Sequence, residues 1–438
     1  ARLASSDPLH SLPRLATYNV STDADGVQTH DISVFYGDNQ GILHAIDTAT
    51  GEEQFAYIPE EMLANQKALY DNAASSTRTY GLDGPITIWA HDSNSNLNID
   101  PAEHHPDDSS DKDHIYVYVG MRRGGNSYYA LDVTDRDNPK YMWSIKGGTG
   151  GTTGFEELAQ TWSKPVLTSV EIGNSIRKVL IFGGGYDVDQ DTASVRTADD
   201  TGRAIFMVDA ETGELIWSAS PSSSLLAPTE MTYSIPATVR VIDIGGDGLA
   251  DQMYVGDMGG QVWRFDINND ASNVRGLVEG GVIANLAGDT QATHRRFYHE
   301  ADVSVVDGAI GSRKLAISLG SGWHAHPGRI HAENRFYVIQ TSDIYSKPDP
   351  DEDGTADYVT LTESDLYDAT DNDLGELTGT PLSDAQNLLA TKKGWYIALN
   401  SGEKVLGSSI TIGGEIWFTS YQPRTSDSIC GIQAGIPR

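Results

Sequence analysis

The chain holds one cysteine, Cys430, in 438 residues, so no disulfide can close within it. Basic residues are scarce too: 30 Lys plus Arg stand against 62 Asp plus Glu, a formal charge of −32. A surface of that sign repels phosphate instead of releasing its counterions, which excludes nucleic acid as a partner. No segment reaches the roughly 18 apolar residues of a membrane-spanning helix, so no transmembrane segment is expected. Residues 1–14 lack a basic start followed by an apolar stretch, so no signal peptide is expected there, and both ends read as cuts from a longer protein. Catalytic signatures are missing as well: there is no G-x-S-x-G and no H-E-x-x-H, and Cys430 has no local signature of a nucleophile. A non-enzymatic protein is expected.

What is present is apolar residues at 39%, aromatics at 8%, 45 Gly and 17 Pro. That is enough apolar material for a real core and enough turn formers for many short strands. The expected class is all-β.

One phrase recurs along the chain: a β-rich run ending in Gly, a turn, a second run ending in Asp, then a turn leading to an aromatic residue. It runs Val34 to Gly37, Ile42 to Asp47, Thr50-Gly51 and Phe55. It returns as Tyr116 to Gly120, Tyr128 to Asp132 and Trp143, then as Ala204 to Asp209, Thr212-Gly213 and Trp217. A fourth copy is Met253 to Gly256 with Gln261 to Asp266. Two looser copies are Leu315 to Gly320 with Arg335 to Ile339, and Trp395 to Leu399 with Glu415 to Thr419. Each copy reads as an antiparallel hairpin that cannot bury its apolar face alone, and radial stacking solves that. The repeated Asp residues lie further apart than the roughly 40 to 50 residues of a plain propeller blade, so insertions must separate the blades. The expectation is one propeller domain over 1–438, with insertions near 59–114 and 343–393. Within them, a short helix is expected over 59–71 with Pro59 at its first position, and another from Ser383 as N-cap to Gly394. Residues 97–114 read as a polar loop with no burial.

Two acidic loops carry the clearest chemistry. Asp349, Asp351, Asp353 and Asp357 stand at positions 1, 3, 5 and 9 of a loop with Gly354 at position 6. The Thr355 carbonyl at position 7 adds another oxygen, and such a set wraps one hard cation, calcium. Four carboxylates in nine residues repel one another until a divalent ion neutralises them. Position 12 is Thr360 where an EF-hand needs Glu, and Tyr358 to Leu361 reads as strand. A solvated acidic turn is the alternative. The second loop offers Asp243, Asp247 and Asp251 around Gly248, with Gly245 at position 3. Water would have to replace the missing ligand, so binding there is expected to be weaker. Its flanks, Thr238 to Val241 and Met253 to Val255, place it in a hairpin turn; an ion-free Gly/Asp turn is the other reading. Three further clusters read as loop chemistry: Asp187, Asp189 and Asp191; His324, His326 and His331; and Arg122 and Arg123 among the glycines of 120–125.

The run Tyr36-Gly37-Asp38-Asn39-Gln40-Gly41-Ile42-Leu43-His44-Ala45-Ile46-Asp47-Thr48-Ala49-Thr50-Gly51, with Phe55 to Pro59, resembles the opening blade of the PilY/PilC family of type IV pilus tip adhesins. So do Tyr128 to Thr134, Gly183 to Asp187, Tyr254 to Asp257 with Trp263 to Asp266, and Gly320 to Trp323 with Pro327. The resemblance implies a modified β-propeller with loop and short-helix insertions, the C-terminal half of a secreted protein at the pilus tip. It also implies outer-membrane association, contacts with major and minor pilins and with host-cell or abiotic surfaces, and roles in pilus biogenesis, retraction and twitching. The family's calcium loop corresponds to Asp243, Asp247 and Asp251, with Leu249 as carbonyl donor. For Cys430 it implies a disulfide partner outside these residues, a buried free thiol being the alternative. The Ala45-Ile46-Asp47 and Asp209 to Trp217 phrases also resemble quinoprotein dehydrogenase blades, in scaffold only. A metal-free assembly scaffold is the third possibility.

Overall fold

The structure, a computed structural model, describes residues 7–71, 78–307, 313–349, 351, 353, 355–423 and 436–437. Cys430, Pro350, Glu352 and Gly354 lie outside the described residues. The chain forms two compact units, one of residues 1–167 and 208–215, the other of 168–207 and 216–438.

The opening phrase builds the first sheet, β1 (Arg14–Thr22), β2 (Gln28–Gly37), β3 (Leu43–Asp47) and β4 (Glu53–Tyr57), antiparallel in chain order. Its register sets Ala45 between Phe35 and Phe55, whose rings lie 6.1 Å apart on one face. The terminal Asp of the phrase has a local task. Asp47 Oδ1 accepts from the backbone of Ala49 and Thr50, both at 2.8 Å, and Asp209 Oδ1 does the same with Glu211 and Thr212 at 3.0 Å. Each Asp therefore holds the turn closed, and the Gly at its end supplies the positive φ, 73° at both Gly51 and Gly213.

The second sheet is also four-stranded and antiparallel. It is made of β5 (Ile86–His91), β8 (His114–Gly120), β9 (Ser127–Asp132) and β10 (Lys140–Lys146), with a small hairpin of β6 (His104–His105) and β7 (Asp108–Lys112) before β8. That hairpin replaces the expected featureless loop over 97–114, and Asp113 beside it is buried. Its carboxylate accepts from the Ser93 and Asp100 backbone N–H groups at 2.9 and 3.1 Å, which organises the segment. Phe35, Leu43, Ile86, Val117 and Leu131 form the core of the first unit.

Three more sheets follow. The third is β11 (Val166–Ile172), β12 (Ser175–Gly183), β13 (Ile205–Asp209) and β14 (Leu215–Ala219); the fourth is β15 (Arg240–Ile242), β16 (Gln252–Gly256), β17 (Gln261–Ile267) and β18 (Val278–Asn285). In the fifth, β19 (Asp302–Asp307), β20 (Arg313–Gly320) and β21 (Arg335–Thr341) are joined by β23 (Gly394–Ala398) and the two-residue β22 (Tyr367–Asp368). β16 and β17 are buried along their whole length, and the polar residues among them, Gln252, Gln261, Arg264 and Asp266, are buried with the rest. Trp217, Trp263 and Phe265 anchor one core of the second unit, and Phe297, Ile317 and Tyr337 another.

Four local expectations change. The looser pair Trp395 to Leu399 with Glu415 to Thr419 does not form: β23 pairs with β21, setting Tyr396 opposite Tyr337, while Glu415–Trp417 pairs with Ile410–Ile412. Gly413 and Gly414, both at positive φ, make a two-residue turn that closes that nearer hairpin first. Over 59–71, Pro59 caps a single 3₁₀ turn (Glu60–Met62) that leads into α1 (Leu63–Asp71). The second expected helix begins earlier than Ser383. After the four-residue α2 (Asp373–Glu376), α3 (Gly379–Thr391) starts from Thr378; Pro381 sits in its first turn, where its missing N–H costs nothing, and Ser383 Oγ donates back to the Gly379 carbonyl at 3.3 Å. Tyr358 to Leu361 makes no strand and joins β18 through the bridge of Leu361 to Ala284 and the Thr360 hydroxyl, which donates to the Val282 carbonyl at 3.1 Å.

Candidate metal centre

The loop over 349–357 follows β21, and just beyond it Leu361 bridges to Ala284 on β18. Its ends are tied by the Asp357 N–H, which donates to the Pro348 carbonyl at 2.7 Å. Between them, carboxylate oxygens of Asp349, Asp351 and Asp353 all lie within 4.8 Å of one another. The Asp353 backbone N–H donates to Asp349 Oδ1 at 3.2 Å, and the Thr355 N–H to Asp353 Oδ1 at 2.7 Å. These bonds curl the chain so that positions 1, 3 and 5 converge. Asp351 and Asp353 are exposed and Asp349 is partly covered. A hard, all-oxygen donor set at this spacing fits calcium and offers nothing to a soft metal. Asp357 is exposed and stands apart from that trio; with Asp349 it lines a neighbouring cavity of ≈ 480 Å³.

The loop is held from below by residues that in the sequence stand out only as part of a repeat. On β17, Arg264 and Asp266 are two apart and so share a face. Both are buried, and they meet through Nε and Nη2, with Nη2 2.7 Å from Asp266 Oδ1. Arg264 then donates to the Asp343 and Ser346 carbonyls, both at 2.8 Å, on the way into the loop. Tyr358, the residue after the loop, donates its hydroxyl to Asp266 Oδ2 at 2.8 Å. One ion pair thus fastens the segments on both sides of the loop. Burial alone would lower the Arg264 pKa, but Asp266 outweighs it and the guanidinium is held above its ordinary value. Burial and then the Asp266 charge push the Tyr358 phenol well up. Gly281 makes room for this arrangement, since a Cβ there would fall 2.8 Å from the Tyr358 Cβ.

The loop over 243–251 is the connection of the β15–β16 hairpin, as its flanks predict. Here the carboxylates serve the turn. Asp243 accepts from the N–H groups of Gly246, Asp247 and Gly248, and Asp251 Oδ2 accepts from Ile244 and Gly245 at 2.7 and 3.0 Å. The Gly248 N–H, with those of Gly246 and Asp247, holds the Asp243 pKa below the usual carboxylate range. Asp247 Oδ1 accepts from the Leu249 N–H at 2.9 Å. Asp243, Asp247 and Asp251 do not reach the mutual 4.8 Å approach that Asp349, Asp351 and Asp353 reach. The space between them is where a side chain on Gly245 would lie: its Cβ would stand 3.6 Å from Asp251 Oδ2 and 3.9 Å from Asp243 Oδ1.

The other clusters are structural. Asp187 is buried rather than solvated, and caps the 3₁₀ turn Val188–Asp191 while accepting from the Asp200 and Thr201 N–H groups. His326 faces the Asp191 carbonyl, and Arg122 and Arg123 lie over Trp162 at 4.3 and 5.0 Å. Among the described residues, no helix is long and apolar enough to cross a membrane.

Comparison with known proteins places this geometry. Residues 10–313 match the family model described as the PilY1 beta-propeller domain; the loop over 243–251 lies inside the match and that over 349–357 beyond it. A type IV pilus biogenesis factor PilY1 homolog of Xylella fastidiosa (strain Temecula1) is 26% identical over 429 residues, covering 94% of this chain and 26% of that protein. The type IV pilus biogenesis factor PilY1 of Pseudomonas aeruginosa (strain UCBPP-PA14) is 28% identical over 242 residues, covering 55% of this chain and 17% of that one. The chain therefore spans about a quarter or less of the length of these relatives. The crystal structure of the Pseudomonas aeruginosa PilY1 C-terminal domain superposes with a TM-score of 0.58 at 20% identity, covering 90% of this chain and 76% of that one. These relatives are named as pilus biogenesis factors, not as enzymes. The chain belongs to the PilY1 beta-propeller family, and its successive four-stranded sheets are the blades of an all-β propeller.

Proposed function

We propose that this propeller is a calcium-binding, non-enzymatic module of a type IV pilus biogenesis factor, displayed at the cell surface on the pilus tip. The observation that carries the calcium is the convergence of Asp349, Asp351 and Asp353 to within 4.8 Å, in a loop anchored on both sides by the Arg264–Asp266 pair. Thr355 and Asp357 complete the set in spacing, and a divalent ion would turn mutual repulsion into attraction there. The loop over 243–251 binds more weakly, through Asp243, Asp247, Asp251 and the Leu249 carbonyl, because Gly245 supplies no oxygen. Ion binding orders one acidic face and sets how it meets pilins or a surface, and so biases extension, retraction, adhesion and twitching.

Calorimetric titration of calcium into the wild type and Asp353→Ala tests the site. A tight stoichiometric site in the wild type that is lost in the variant, leaving only weaker binding, is expected; equal binding by both would remove the reading of calcium at this loop. The same substitution placed in a pilus-retraction assay tests the role in motility.

A further inference from the structure

In the first unit, stretches of chain around residues 18, 31, 54, 99 and 136 meet at a cavity of ≈ 390 Å³. That volume falls among small-ligand clefts, which run from about 300 to 1,000 Å³. Its lining is polar: apart from the Tyr18 ring, only Ile99 and Pro101 are apolar.

Two amides stand side by side in that lining. Asn19 on β1 and Asn98 face each other across an isolated antiparallel bridge. The Val20 N–H donates to the Leu97 carbonyl at 2.9 Å and the Ile99 N–H to the Tyr18 carbonyl at 2.8 Å. The bonds therefore flank the pair, which is the closely spaced kind whose side chains share one face. Both residues are half-buried, and neither side-chain amide has a hydrogen-bond partner among the described residues. Gln54 Oε1 accepts from the Ser33 hydroxyl at 2.7 Å, which fixes that side chain and leaves its NH₂ group for the cavity.

The framework around these amides is stiff. Arg136 meets Asp31 fork to fork at 2.7 and 2.5 Å, and its guanidinium lies 4.2 Å from the centre of the Tyr18 ring. Tyr18 is buried and its hydroxyl donates to the Val133 carbonyl at 2.8 Å. The pairing of β1 with β2 slips between Thr17 and Asn19, and a bulge of this kind re-aims the side chains beside it. The turn before Asn98 is closed by Asp92 Oδ2, which accepts from the Leu97 N–H at 2.7 Å.

We propose that this cavity binds a neutral sugar of one or two pyranose rings. A hydroxyl both donates and accepts, and so does an amide, so two adjacent amides match two adjacent hydroxyls of a ring. Other ligands fit the lining less well. Asp31 already engages the Arg136 charge, and the exposed Asp135 and Asp137 repel an anion. An organic cation would be drawn by those two carboxylates but would leave the amides without a role. Among the described residues, no three carboxylates here approach one another as metal ligands do. A peptide would need apolar pockets for its side chains.

Saturation-transfer NMR on the whole chain tests this with the methyl glycosides of glucose, galactose, mannose and N-acetylglucosamine, and with glucuronate as the charged control. The expected result is a saturable signal from at least one glycoside and none from glucuronate. Asn19→Ala and Asn98→Ala should each weaken that binding at least tenfold while leaving the thermal midpoint unchanged, because neither amide bonds to the protein. Silence from all four glycosides would make the cavity an ordinary hydrated hollow and overturn the proposal. So would an affinity that survives in both variants, which would put the sugar elsewhere, or glucuronate binding as tightly as the neutral sugars.

Discussion

Tyr358 donates its phenolic hydroxyl to Asp266 Oδ2 at 2.8 Å, so the residue that leaves the acidic loop is bonded to a buried carboxylate on β17. That bond passes the rigidity of the Arg264–Asp266 pair to the loop. Tyr358→Phe should destabilise the protein by about 1.5–3 kcal/mol, the usual worth of a hydrogen bond to a charged group. It should also weaken calcium binding several-fold, because a loosened foot must be ordered when the ion enters. Urea unfolding in chelator reads the first effect and calorimetry the second; an unchanged calcium affinity would show that the clamp does not serve the ion.

A second prediction concerns the weaker loop. Gly245 has an ordinary backbone conformation, unlike Gly246 and Gly248 at φ of 75° and 88°, and a Cβ on it would meet nothing closer than 3.6 Å. Gly245→Asp therefore adds a carboxylate between Asp243, Asp247 and Asp251 without strain. In chelator the added like charge should lower the thermal midpoint. In calcium at a hundredfold excess over the dissociation constant it should raise stability by about 2.7 kcal/mol. Melting curves with and without calcium decide it, and a variant indifferent to calcium would mean that the turn cannot house an ion.

How much of the fold is legible in the sequence depends on the separation of the partners. The hairpins around Asp47 and Asp209 are legible because strand, turn donor and Gly are neighbours, and the 243–251 turn because its strands flank it directly. The trio Asp349, Asp351 and Asp353 is legible as spacing for the same reason. The clamp is not: Arg264 finds its partners at Asp343, Ser346 and Tyr358, and no local pattern announces a contact across so long a stretch of chain. Pairing is hidden likewise at Trp395, where β21 competes with the nearer-looking Glu415 segment and wins by offering Tyr337 and Val338 in register.

The buried carboxyl of Asp257 gives a pH prediction. It is 0% exposed and accepts from the Gly259 and Gln261 N–H groups and from Trp263 Nε1, each at 2.9 Å. Burial outweighs these bonds and pushes its pKa up to about 7. A raised carboxyl pKa means that the folded state binds the proton more tightly than the unfolded one, so this contribution is complete below about pH 4 and is lost as pH rises to about 7. Its size is a few kcal/mol, at roughly 1.4 kcal/mol per pKa unit. Asp257→Asn imitates the protonated acid and should flatten the stability–pH curve across that window. Unfolding free energies measured at intervals from about pH 4 to about pH 7 supply the comparison, and parallel curves for the two proteins would disprove it.

Gly51 and Gly213 end the same repeated turn, share a φ of 73°, and belong to the same compact unit, yet they should not tolerate alanine equally. Around Gly51 there is open space, so Gly51→Ala incurs only the left-handed backbone conformation, about 1–2 kcal/mol. At Gly213 a Cβ would fall 2.7 Å from Trp143 Cδ2 and 3.0 Å from Cε3. The Trp143 ring cannot easily yield, because it is buried and its Nε1 donates to the Ala210 carbonyl at 3.2 Å. Gly213→Ala must either break that bond or open the turn, and overpacking of this kind adds about 1–3 kcal/mol to the conformational cost. Urea midpoints of the two variants measure the difference directly. Equal losses would mean that the tryptophan is not seated on the turn, and that the aromatic residue of the repeated phrase has no packing role against the glycine of the next.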